Sequence, residues 1–203
     1  MGRPMNRDGM ILVVDDDDAA RESLTFLLDA AGYQASAFAN PLDALGAVDG
    51  HTRCVITDVR MPEISGLELV ERLKRAHPKL PIVVITGHAD VAMAVEAMKK
   101  GASDFLEKPF EHETLLRVLG QALTAVSSST DPELERRQAT LSARERQVLR
   151  ALLVGQSNKE IARELDISPR TVEIYRAKVM AKMGAETYAD LIRSGLKAGL
   201  DQD

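Results

Sequence analysis

The sequence predicts an α/β unit, a doubly wound five-stranded parallel sheet, followed by an all-α unit of four helices. Three observations carry this reading. Up to about residue 126, five short apolar runs alternate with longer segments of helical periodicity. A polar break, Ser127-Ser-Ser-Thr-Asp-Pro132, then interrupts the apolar pattern. Beyond it, helix-start signals recur without any strand-like alternation.

The strands are expected at 11–14, 34–38, 54–57, 82–85 and 104–106, and the helices between them at 19–31, 42–48, 67–76, 91–100 and 111–126. Asn40-Pro41 reads as an N-cap followed by a first-turn proline, and Gly32 and Gly101 stand where C-caps belong. Strand followed by helix five times requires a parallel sheet covered on both faces. Residues 127–140, polar and then charged, read as a linker between a domain at 1–126 and a second at 141–203. In the second domain, Ser142-Ala-Arg-Glu145 and Ser157-Asn-Lys-Glu160 fit capping boxes, Ser168-Pro169 marks a third helix start, and 187–198 makes a fourth helix.

Composition bounds the function. With 45% apolar and 28% charged residues the chain is an ordinary globular protein, and no apolar run approaches the ~20 residues of a membrane span. No secretory signal pattern precedes Met10, and Cys54 is the lone cysteine, so a reducing cytoplasm is expected. The aromatic content of 3%, with no Trp, argues against a base-stacking platform for single strands. Net charge is −7 over residues 1–140 but +2 over 141–203, so the two halves are expected to meet different partners.

In a doubly wound sheet, ligands sit beyond the carboxyl ends of the strands at the switch in strand order. The polar residues just past those ends are Asp15, Asp16, Asp58, Thr86 and Lys108. Three crowded carboxylates repel one another unless a cation shares the site, and a hard divalent ion, most simply Mg2+, takes oxygen ligands. Asp58 is then a nucleophile toward a phosphoryl group, with Lys108 offsetting charge and the Thr86 hydroxyl donating a hydrogen bond. Gly87 leaves room beside it. Asp17 and Asp18 read as turn and cap residues.

These motifs, Val14-Asp15-Asp16, Asp58-Val-Arg-Met-Pro62 followed by Gly66, Thr86-Gly87 and Lys108-Pro109-Phe110, resemble the flavodoxin-like receiver domain of bacterial two-component response regulators. The resemblance implies that a sensor histidine kinase phosphorylates Asp58. It further implies that Asp16, Asp58 and the Arg60 carbonyl ligate Mg2+, with Asp15 acting through water, and that a cis peptide precedes Pro109. Thr86 and Phe105 match the family's switch pair, although Phe105 alone reads equally as a core aromatic. Arg60 and His88 match variable positions that set the lifetime of the phosphate.

In the second half, 158–165, a short turn and 169–183 have the lengths of a helix-turn-helix. Val172, Tyr175, Val179 and Met183 form the inner stripe of its second helix. Arg170, Thr171, Glu173, Ile174, Ala177, Lys178, Ala181 and Lys182 lie outside. Ile174 and Ala177 suit thymine methyls, and Glu173 can accept from a cytosine amino group. Lys159, Arg170, Arg176, Lys178 and Lys182 are candidates for phosphates.

Leu141-Ser-x-Arg-Glu-Arg146, Gly155-x-Ser-Asn-Lys-Glu-Ile-Ala162, Ile167-Ser168 and Thr171-Val-x-x-Tyr-Arg176 resemble the LuxR/NarL-type DNA-binding domain. Thr86-Gly-His-Ala-Asp-Val91 and Phe105-Leu-Glu-Lys-Pro-Phe110 bring the whole chain closest to FixJ-type regulators. The resemblance implies a phosphorylation-activated transcription factor that acts on RNA polymerase. It also implies a homodimer on a near-palindromic double-stranded site, with no membrane partner and no enzymatic turnover beyond slow self-dephosphorylation. Two other readings stay open on the residues alone. One is a Mg2+-dependent phosphatase of the haloacid dehalogenase kind, which Asp15-Asp16-Asp17 fits loosely, and the other is a constitutive DNA binder whose first domain only dimerises.

Overall fold

The computed structural model describes residues 9–87, 91–124, 132–197 and 200. In the first unit, β1 (Met10–Val14), β2 (Gln34–Phe38), β3 (Thr52–Asp58), β4 (Ile82–Thr86) and β5 (Asp104–Glu107) form one parallel sheet in the order β2-β1-β3-β4-β5. The chain moves from β1 outward to β2, then returns to β3 on the other side. That reversal is the switch point at which a doubly wound sheet opens a crevice.

Burial explains which runs were readable as strands. β4 is buried throughout and β1 and β3 nearly so, which is why they read as unbroken apolar stretches. β2 lies at the edge and is only partly covered. Helices α1 (Asp18–Ala30), α2 (Pro41–Ala47) and α3 (Gly66–Ala76) come after the first three strands. They start at side-chain caps, with Asp17 accepting from the Ala20 amide at 2.8 Å, Asn40 from Leu42 at 2.7 Å and Ser65 from Glu68 at 3.2 Å. The central core joins Ile11, Val13, Ile56 and Ile85 of the sheet to Leu28 of α1. Leu115 and Leu119 of α5 (His112–Thr124) complete it. Cys54 is fully buried, and burial pushes its thiol up to about 12.

The second unit is helical. α4 (Val91–Lys99) lies in sequence between β4 and β5, and the helical unit holds α7 (Ala143–Leu153) and α10 (Tyr188–Lys197). The remaining members are α6 (Pro132–Ala139), α8 (Asn158–Glu164) and α9 (Pro169–Met183). Both expected capping boxes form, at Ser142 with Glu145 and at Ser157 with Glu160, and Ser168 caps α9 ahead of Pro169. Val148, Leu152, Ile161, Val172, Val179 and Leu191 are buried in it.

Within the segment read as linker, residues 132–139 form the helix α6, while 127–131 lie outside the described residues, as does His88. α6 carries no apolar stripe that a periodicity reading could detect. It is held instead by ion pairs and by hydrogen bonds to α9.

Candidate functional site

The strand register brings the chemistry to one end of the sheet. Val14 stands opposite Thr57, Asp58 opposite Ile85, and Thr86 opposite Glu107, so Asp15, Asp58, Thr86 and Lys108 leave neighbouring strands at the same level. The Lys108 amide donates to the Thr86 carbonyl at 2.8 Å, closing the far side of the crevice. Lys108-Pro109 is a cis peptide bond.

Lys108 is the organising cation. Its Nζ donates to Asp15 Oδ2 at 2.8 Å and to Asp58 Oδ1 at 3.1 Å, bridging two carboxylates that arrive from different strands. Burial alone works against its charge, but the hydrogen bonds and charges of Asp15 and Asp58 outweigh that, and its pKa stands above the ordinary lysine value. The other oxygen of Asp58 accepts from the Arg60 amide at 2.6 Å. Asp15, 2% exposed, also accepts from the Asp17 amide at 3.0 Å. Arg21 of α1 donates to the Asp15 carbonyl at 2.7 Å, a supporting contact that the sequence reading missed because it depends on how α1 folds back over β1.

Two backbone features hold Asp58 in place. The Thr57 hydroxyl donates to the Asp58 carbonyl at 2.9 Å, and the Gly66 amide donates to Val59 at 2.9 Å. A Cβ at residue 66 would stand 1.8 Å from the Asp58 carbonyl oxygen, so only glycine lets α3 start this close to the acid. Thr86 on β4 and Phe105 on β5 are both buried, at 1% and 6% exposure, with Phe105 opposite Val84 in the register and Thr86 opposite Glu107.

The donors present are oxygen atoms of Asp15 and Asp58 beside main-chain carbonyls, a set whose chemistry fits a hard ion bound through one or two carboxylates and waters. The expected three-carboxylate cluster does not form, however. Asp16 is exposed, and among the described residues no three His, Cys, Asp or Glu side chains gather closely enough to hold a metal. Lys108 offsets the charge of the two acids that it bridges.

On α9 the outward residues Arg170, Glu173, Ala177, Lys178 and Ala181 are exposed and Thr171 partly so. Ile174 is 52% exposed, a large apolar side chain facing solvent on an otherwise polar face. Lys178 lies 5.8 Å over the Tyr175 ring. Val172, Val179 and Met183 are buried as the inner stripe, while Tyr175 is only partly covered. Two expected phosphate contacts are engaged within the unit. Arg176 donates to Asn158 of α8 and stacks 4.3 Å from the centroid of Tyr188, and its partial burial lowers its pKa. Lys182 donates to Glu145 Oε2 at 2.7 Å and to the Thr140 carbonyl at 2.9 Å. Lys159 is exposed at the start of α8.

Comparison with known proteins decides the family. Residues 11–120 match the response regulator receiver domain, and residues 139–194 match the bacterial regulatory proteins of the luxR family. The chain belongs to the two-component response regulators. It is 48% identical to the transcriptional regulatory protein FixJ of Bradyrhizobium diazoefficiens over 98% of this chain and all of that one. Among solved structures, full-length FixJ from B. japonicum shares 47% identity with a TM-score of 0.50, covering 95% of this chain and 98% of that one. The response regulator StyR shares 38% identity with a TM-score of 0.54, covering 94% and 99%. This response regulator is therefore a transcriptional regulator of a two-component system with a LuxR-type DNA-binding domain, and the phosphatase reading is set aside. Among its described residues no helix is long and apolar enough to cross a membrane.

Proposed function

We propose that Asp58 is the phosphoacceptor of this regulator and that its phosphorylation controls DNA binding by α9. The observation that carries this is the Lys108 ammonium bridging Asp15 and Asp58 at the carboxyl edge of the sheet. An oxygen of Asp58 attacks the phosphorus of a kinase phosphohistidine. An O–P bond forms as the P–N bond breaks, and the imidazole leaves with the bonding pair and takes up a proton. Lys108 then turns from the carboxylates toward the added phosphoryl oxygens, and the Thr86 hydroxyl donates to them. Asp58 and the Arg60 carbonyl, with Asp15 acting through water, would hold Mg2+, which would supply positive charge against the transferring oxygens.

Phosphorylation shifts the regulator only by the difference in its affinity for two conformations. Thr86 on β4 and Phe105 on β5, both buried, are the pair whose repacking carries that difference. The phosphorylated form dimerises in the cytoplasm and binds a near-palindromic site, from which it acts on RNA polymerase. On α9, Ile174 and Ala177 meet thymine methyls, Glu173 accepts from cytosine and Thr171 lines the same face, while Arg170 and Lys178 of α9 and Lys159 of α8 hold phosphates.

Intact mass after incubation with a small acyl phosphate and Mg2+ tests the acceptor. One phosphoryl group on wild type and none on Asp58→Asn is the expected result. Equal labelling of both proteins overturns the assignment.

A further inference from the structure

We infer that the helix α6 belongs to the DNA-binding machinery, with Arg137 and Thr140 clamping the C-terminal turn of α9 and so positioning the recognition face. An α-helix ends with carbonyls that have no partner of their own, and a cation at that end also faces the negative pole of the helix dipole. Arg137 fills this role for α9. Its Nη1 donates to the Met183 carbonyl at 3.1 Å, while its Nε donates to Glu133 Oε1 at 3.1 Å and so fixes the plane of the guanidinium.

The grip is reciprocal. Lys182, the residue before Met183, donates back to the Thr140 carbonyl at 2.9 Å. Thr140 is itself held by its amide and hydroxyl, which donate to the Arg137 carbonyl at 3.1 and 2.7 Å. Lys182 also reaches Glu145 Oε2 at 2.7 Å, and that oxygen accepts from the Ser142 amide at 2.7 Å. Glu145 is 4% exposed while Lys182 stays open to solvent, and this ion pair ties α9 to the first turn of α7.

Gly184 completes the arrangement. It sits at φ 66, the left-handed conformation of a helix C-cap, and a Cβ there would lie 2.2 Å from Arg137 Nη1. Residues 137–145 and 182–184 thus close one polar node. Lys182 is a positioning residue in it, not a phosphate contact.

This inference rests on the reading of the outer face of α9 as the DNA-contacting surface, so Arg170→Ala serves as its control. The probes are a duplex enriched from a randomised pool by the full-length wild-type protein and a scrambled duplex of the same composition. Arg137→Gln and Lys182→Gln are expected to weaken the enriched duplex by about fivefold. The scrambled duplex and the salt dependence should stay unchanged, because no phosphate contact is lost. In the protein without DNA, amide exchange at residues 181–185 should quicken in both variants. Where Arg137→Gln does not fold, Arg137→Lys keeps the charge, loses the fork, and should show the same exchange effect.

Lys182→Gln weakening both duplexes equally, with the salt slope reduced by about one, overturns the inference in favour of a phosphate contact. Unchanged exchange and unchanged affinities in Arg137→Gln overturn it in favour of a passive spacer. If Arg170→Ala is without effect on either duplex, the reading of the α9 face fails, and the exchange data still decide whether the clamp exists.

Discussion

At Gly66 the space for one methyl group separates a competent acid from a displaced one. The Asp58 carbonyl fills the place a Cβ would take, so Gly66→Ala must move the strand end or the start of α3. Overpacking of this kind costs about 1–3 kcal/mol. Gly66→Ala is therefore expected to lower the melting temperature and to slow phosphoryl labelling by an acyl phosphate, although every acidic side chain remains. Gly87 is the contrast, since a Cβ there meets nothing within 4 Å, and Gly87→Ala should leave stability within about 0.5 kcal/mol of wild type. Thermal melts of the two variants side by side check both statements. Asp15, Asp58, Thr86 and Lys108 were legible in the sequence because a parallel sheet gathers the residues at the carboxyl ends of its strands along one edge. The place of Asp16 was not, because the sequence does not say which of two adjacent acids turns inward.

Among the elements, the strands declared themselves, since β1, β3 and β4 are buried on both faces and cannot avoid reading as apolar runs. The capping boxes were equally local signals, four residues long. α6 escaped notice because its bonds to the rest of the unit are remote in sequence, from Arg137 to Met183 and from Thr140 to Lys182. The same distance hid the engagement of Arg176 with Asn158 and of Lys182 with Glu145, pairs that periodicity sees only as charges on a helix face. The Glu145 pair has a pH signature. The hydrogen bond from Lys182, with a smaller contribution from the Ser142 amide, lowers the Glu145 pKa from 4.5 to about 2. A carboxyl depressed on folding contributes stability that is fully present above its unfolded pKa and is lost as pH falls through its folded pKa. The melting temperature of wild type should therefore exceed that of Glu145→Gln at neutral pH, and the gap should narrow between about pH 5 and pH 2. A gap that is constant across this window would show that the carboxylate charge is not the force that holds α7 to α9.

For the whole molecule, charge distribution sets how binding to DNA responds to salt. Residues 1–140 carry net −7 and residues 141–203 only +2, so attachment depends on a few well-placed cations instead of a general positive field. Of the five basic side chains that sequence reading assigned to phosphates, Lys159, Arg170 and Lys178 are exposed, while Arg176 and Lys182 are occupied within the helical unit. Each phosphate contact contributes about −0.9 to the slope of log affinity against log salt on duplex DNA. Three contacts give about −3 for one copy, and two copies on a two-fold site give about −5. If Arg176 and Lys182 also left their partners for phosphates, two copies would give about −9. A salt titration of the phosphorylated protein on its enriched duplex separates these cases. A slope near −5 is expected, together with two copies per duplex by light scattering, because one copy with all five cations on phosphates would give about −4.5. A slope near −3 would mean that a single copy binds, and one near −9 would mean that DNA pulls Arg176 and Lys182 away from Asn158 and Glu145.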